Sequence, residues 1–153
     1  MENLNSIDNI NNMDCDSINF LFRQVVKLYR HRGHTYFGKL GLYPGQSHIL
    51  FMLWEKDGRC QKEFVEKLSV KPATITIMLG RMEHAKLVKR QIDSQDLRIT
   101  RVYLTEKGKE IRSQVEEIQK KLEQEFLSGF TCEEKILFRR LLIQVRNNFI
   151  NTV

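Results

Sequence analysis

Cysteine is scarce and badly placed for its usual tasks. Cys15, Cys60 and Cys132 are odd in number, far apart and in no CxxC pair. Metal ligation needs several nitrogen or sulfur donors gathered at about 2 to 2.3 Å, and this spacing gathers none. Free thiols in a reducing compartment are the plain expectation, with a redox role for Cys15 as the alternative. Long apolar runs are missing too: no stretch approaches the roughly 18–20 residues that span a bilayer. The first 20 residues contain Glu2, Asp8, Asp14 and Asp16 but no Lys or Arg. They lack the basic start and apolar centre of a secretory signal, so a cytoplasmic protein with no membrane partner is expected. Catalytic patterns are absent as well. His31, His34, His48 and His84 are scattered over different segments, and no Ser/His/Asp order, glycine-rich phosphate loop or metal-ligand spacing occurs. His31 and His34 lie within one helical turn, a spacing that in principle suits a metal. With no Cys or carboxylate beside them, they read as the solvated end of a basic helix. No enzyme, cofactor or metal site is expected.

What is present is enough apolar material for a core and an uneven positive charge. The chain has 153 residues, 41% of them hydrophobic, which suits one domain or one domain with helical extensions. The net charge of +6 is distributed as −4 over residues 1–20, +5 over 21–61, +5 over 62–109 and a balance over 110–153. Positive charge confined to the middle of the chain is what a surface facing a polyanion needs.

Hydrophobic periodicity divides the rest. Ile18, Leu21, Phe22, Val25, Leu28 and Tyr29 recur at steps of three and four, predicting an amphipathic helix over 17–38. Pro44 suits the first turn of a second helix, which runs from 46 to about 56 and is apolar nearly all round between Ile49 and Trp54, as a buried helix would be. A short helix over 61–68, a tight Ser69-Val70-Lys71 connection and a helix from Pro72 to about Lys86 form a helix-turn-helix pattern. In its second helix Ile75, Met78, Leu79 and Met82 share one side. Ala73, Ile77, Gly80 and His84, flanked by Thr74, Thr76 and Arg81, occupy the other. Small and hydroxyl side chains with no acid at the centre suit close approach to a DNA groove, and an ordinary solvated face would carry Glu and Lys. Lys71, Ala73, Thr74, Thr76, Ile77 and Arg81 are the candidate contacts there.

Two strands follow, 88–92 and 99–104, around the turn Asp93-Ser94-Gln95-Asp96. The hairpin carries Arg90, Asp96, Arg98 and Arg101 as candidate wing residues. Arg98, just past the turn, is placed to reach a minor groove. Asp96 either orients that guanidinium or simply favours the turn. Thr105 is a plausible N-cap of a long helix with Ile111, Val115, Ile118, Leu122 and Phe126 in its seam; Ser128-Gly129 breaks it. Thr131-Cys-Glu-Glu134 has the form of a capping box before a last helix with Phe138, Leu141, Leu142, Val145 and Phe149 on one face. These stripes exceed what a small winged-helix core buries, so pairing of two copies is expected, with an intramolecular bundle as the alternative. The organisation expected is a flexible tail over 1–16, an N-terminal dimerisation helix within 17–42, a winged helix-turn-helix DNA-binding domain over 43–104 and C-terminal dimerisation helices over 105–150. The class is mostly α, with a small β-hairpin wing.

Asp96-Leu97-Arg98 followed by Val102-Tyr-Leu-Thr105-Glu-Lys-Gly108 resembles the wing-to-helix signature of the multiple-antibiotic-resistance regulator (MarR) family. Leu87-Val88-Lys89-Arg90 and Thr74-Ile75-Thr76 add to the likeness, which extends over residues 17–150. The resemblance implies a homodimeric transcription regulator, commonly a repressor. Its recognition helices would enter successive major grooves of an inverted-repeat operator in double-stranded DNA, and its wings the flanking minor grooves. It implies DNA contacts for Thr74, Thr76 and Arg98, with Asp96 as partner of Arg98. It also implies a small aromatic or phenolic effector, for which Tyr36, Phe37, Phe51 and Trp54 are candidate lining residues, or else plain core. One branch of the family senses hydroperoxides through a cysteine that would fall on Ile18, with Cys15 one turn too early. That departure argues against the branch. A winged helix that holds a protein partner is the competing function; it would show apolar or acidic residues on the recognition face.

Overall fold

The computed structural model describes residues 17–43 and 45–151; the N-terminal tail, Cys15 and Pro44 lie outside the described residues. The chain divides into two compact units, Met1–Ile118 and Gln119–Val153.

In the first unit, helix α1 spans Ile18–Gly38 and starts where the Ser17 hydroxyl accepts the Phe20 N–H at 3.2 Å. Helix α2, Gln46–Glu55, is the buried centre that its apolar run predicts, with Ile49, Leu50 and Leu53 sealed from solvent. Gly45 opens it at φ 88°, a left-handed conformation that glycine adopts without steric cost. Gln46 is the polar group taken inside. Its Oε1 accepts the Tyr43 N–H at 2.9 Å, and its Nε2 faces the Met78 carbonyl at 3.5 Å.

A two-residue strand, β1 (Arg59–Cys60), precedes helix α3 (Gln61–Leu68) and was not expected. It exists because β3 offers an open edge: Arg59 pairs with Val102 and Cys60 with Arg101, and two residues carry no periodicity of their own. Cys60 then caps α3 in a capping box, with the Glu63 carboxylate accepting the Cys60 N–H at 2.7 Å. Ser69 turns the chain at φ 51°, and helix α4 (Pro72–His84) begins with proline in its first turn. It ends two residues short of expectation, and Lys86 at φ 59° turns the chain toward the hairpin. Strands β2 (Val88–Ile92) and β3 (Thr100–Leu104) pair antiparallel in register Val88–Leu104 to Ile92–Thr100, giving a three-stranded sheet of order β1-β3-β2.

Phe64 of α3, Ile75, Leu79 and Met82 of α4, and Val102 of β3 are fully buried. Burial of each such side chain contributes about 1.5–3 kcal/mol, enough for this one stripe to fix which face of α4 turns outward. Helix α5 (Glu106–Glu110) starts on Thr105, whose hydroxyl accepts the Gly108 N–H at 3.1 Å. The long helix expected from 105 is interrupted at Ile111 (φ −71°, ψ −7°) and resumes as α6 (Arg112–Phe126), with Val115 buried.

In the second unit, helix α7 (Cys132–Ile150) begins at the expected capping box, Thr131 with Glu134. The Phe138 ring packs against Phe126 and Phe130 at centroid distances of 5.8 and 5.7 Å. No residue of α7 is buried: Leu137, Leu141, Leu142, Val145 and Phe149 all stand in solvent.

Candidate nucleic-acid interface

With Ile75, Leu79 and Met82 inward, the residues between them turn outward. Lys71, Ala73, Thr74, Thr76, Ile77 and Arg81 are all exposed, Ile77 to 58%. The α4 face drawn from periodicity is therefore the face the fold presents. Arg81 is held over the Tyr43 ring, 4.9 Å from its centroid, which anchors the stem of this cation beside the helix. Thr76 differs from Thr74 in being engaged. Its hydroxyl donates to the Pro72 carbonyl at 3.1 Å and accepts the Gln61 amide N–H at 2.7 Å.

The wing contains three ion pairs with different consequences. At the turn, Asp93 Oδ1 accepts the backbone N–H groups of Gln95 and Asp96. Its other oxygen pairs with Arg101, whose Nη1 also donates to the Gly58 carbonyl at 3.0 Å. The Arg101 guanidinium, helped by those two backbone N–H groups, holds the Asp93 carboxyl down from 3.8 to about 2. Arg90 donates through Nε to the Glu83 carboxylate at 2.8 Å and through its backbone N–H at 3.0 Å, tying β2 to the end of α4. The Arg90 hydrogen bonds lower the Glu83 carboxyl below the usual carboxylate range. Arg90 and Arg101, expected from sequence as DNA contacts, are thus drawn onto carboxylates close by in the fold. The geometry gives them a bracing task.

Arg98 stands apart. Its side chain is 91% exposed at the tip, and the Asp96 carboxylate holds it through Nε at 3.1 Å and Nη2 at 3.3 Å. The Asp96 carboxyl also accepts the Arg98 backbone N–H and lies below the usual range, the guanidinium bond being the main cause. The geometry fits both readings of Asp96: it orients the guanidinium, and its bond to the Arg98 backbone N–H holds the turn.

Phe37 is in the core, and the Trp54 indole donates to the Gly108 carbonyl at 3.0 Å while stacking edge-on with Phe51 at 5.4 Å. Tyr36 lies beside Arg32 and Lys39 on α1. A depression in the α1 surface is lined by Phe22, Arg23, Val26, Lys27 and Arg30, none of them among the candidate lining residues. Among the described residues no group of His, Cys, Asp and Glu is placed to hold a metal ion, and no helix is long and apolar enough to cross a membrane.

Two positioning residues escaped sequence reasoning. Arg59, nearly buried, donates to the Met52 carbonyl at 2.9 Å and to Glu63 and Glu55, locking α2 to the start of α3. Gln61 reaches across to Thr76. The Gln61 contact joins segments by tertiary placement and leaves no local pattern, whereas Glu55, Arg59 and Glu63 are spaced by four but fall on three different elements.

The sequence pattern described as the MarR family matches residues 42–100, from the loop before α2 to the start of β3. The transcriptional regulator HosA of Escherichia coli O157:H7 is 30% identical over 130 residues, covering 84% of this chain and 96% of that protein. Among solved structures, the transcriptional regulator SlyA superposes with a TM-score of 0.79 at 25% identity, over 87% of this chain and 94% of that one. A mutant MarR from E. coli, complexed with operator DNA, superposes at 0.77 and 25% identity, over 84% and 92%.

Proposed function

This chain belongs to the MarR family of transcriptional regulators, which are not enzymes, and from that premise we propose that it binds double-stranded DNA as a homodimer. The outer face of α4 enters the major groove, and the Arg98 wing tip enters the flanking minor groove. The observation that carries this reading is the pairing of an α4 face with no acid at its centre with an almost fully exposed arginine held by Asp96. The MarR structure solved on operator DNA supports the choice of partner. A protein-binding winged helix would need an acidic or broadly apolar recognition face; this one offers Thr, Ala and Arg around a single exposed Ile77.

Residues within 17–42 and 105–150 supply the dimer contacts in this proposal. Ile18, Phe22, Val25 and Leu28 on α1, and Leu141, Val145 and Phe149 on α7, are exposed apolar residues that a second copy would cover. Repression relieved by a small aromatic or phenolic ligand is the finer form, and it rests on the family resemblance. Titration with a simple benzoate or phenol tests it, release of bound DNA being the expected result. The main reading is tested by selecting bound fragments from the source genome. An inverted repeat with half-sites about 10 bp apart is expected, and retention of no fragment at low salt would overturn it.

A further inference from the structure

The hydrogen-bond network around Thr76 fixes the orientation of Gln61. A threonine hydroxyl has one proton, and here it goes to the Pro72 carbonyl four residues back. The oxygen can then only accept from Gln61, so the amide nitrogen must face Thr76 and Oε1 must face away. Gln61 is the first residue of α3, yet its amide is drawn onto Thr76 on the exposed side of α4. Among the described residues, Oε1 and the second amide N–H have no partner.

We propose that Gln61 is a specificity-determining residue that reads an adenine in the major groove, and that Thr76 is its positioning residue and not itself a polar base contact. An adenine edge shows an N6 donor beside an N7 acceptor, and a glutamine amide with one free oxygen and one free N–H matches both at once. A phosphate offers acceptors only and would leave Oε1 facing anionic oxygens, so the free pair suits a base edge better. The exposed Ile77 side chain, next to Thr76, provides the apolar contact that the methyl of a thymine in the same tract would take. The shared bond also fixes in advance a side chain whose rotamers would otherwise have to be frozen on binding.

This inference rests on the proposed DNA-binding function, and one experiment separates their failures. The full chain is used to select duplexes from a pool with a randomised 20 bp centre, in parallel with Gln61→Ala, Thr76→Val and Thr76→Ser. Thermal unfolding confirms that each variant folds. The wild type is expected to require an A·T pair at one position of each half-site. Gln61→Ala and Thr76→Val should relax that position about tenfold, leave the others intact, and differ from Thr76→Ser, which keeps the hydroxyl and should keep the preference. Uniform weakening at all positions, or an unchanged preference in Gln61→Ala, overturns the assignment to Gln61 while leaving DNA binding standing. Selection of no sequence by the wild type overturns both.

Discussion

Asp93 and Asp96 are three residues apart in one turn and hold arginines with opposite roles. Asp93 closes the hairpin by binding two backbone N–H groups and Arg101. Its carboxyl is held down to about 2 from 3.8, so its contribution to wing order is complete above the ordinary value. That contribution is lost as the pH falls toward 2. A side-chain carboxyl titration of the folded protein should place Asp93 well below its ordinary value, and a midpoint near 4 would contradict the pairing. Asp96 instead orients a guanidinium that remains in solvent. Asp96→Ala should leave thermal stability nearly unchanged, because an exposed ion pair contributes little. It should weaken DNA binding about two- to tenfold, the cost of immobilising one freed side chain, and unaltered affinity would remove Asp96 from the interface.

Helix α5 passes close to the residue before β2. A Cβ added to Gly108 would lie 2.0 Å from the Leu87 carbonyl oxygen, so backbone must move to admit it. Gly108→Ala should cost about 1–3 kcal/mol and lower the melting temperature by several degrees; an unchanged melting temperature would show that the contact is loose. Gly108 was visible in sequence only as part of the family signature, since its backbone contact with Leu87 comes from tertiary placement. The same division runs through the fold. Helix α4 and the hairpin were legible because Ile75, Leu79 and Met82 repeat at the helical period and Val88 to Ile92 is bounded by turn residues. Strand β1 was not, because two residues have no period and owe their strand to the edge of β3. Arg98 was legible as a candidate by its place past a polar turn. That Arg90 and Arg101 are braces was not, since Glu83 reaches Arg90 only after the hairpin packs on α4, and Asp93 reaches Arg101 only once β2 and β3 pair.

At the scale of the molecule, α1 and α7 each leave in solvent an apolar face of the kind a partner covers. Replacing Leu141 and Val145 together by Glu should convert the proposed dimer to single protomers in sedimentation velocity. A pair of copies that survives the change would locate the interface elsewhere. In the proposed dimer duplication matters because one α4 and one wing would grip too few phosphates and bases for tight, selective binding, whereas two copies on one duplex would engage both half-sites together. The most direct measurement of that cationic surface is the salt dependence of binding to one selected duplex, wild type beside Arg98→Ala. Log affinity should fall with log salt at about 0.9 per phosphate contacted. Removing the wing-tip arginine should both weaken binding and flatten the slope by about 0.9 for each protomer. Equal affinity and equal slope in the two proteins would contradict the account.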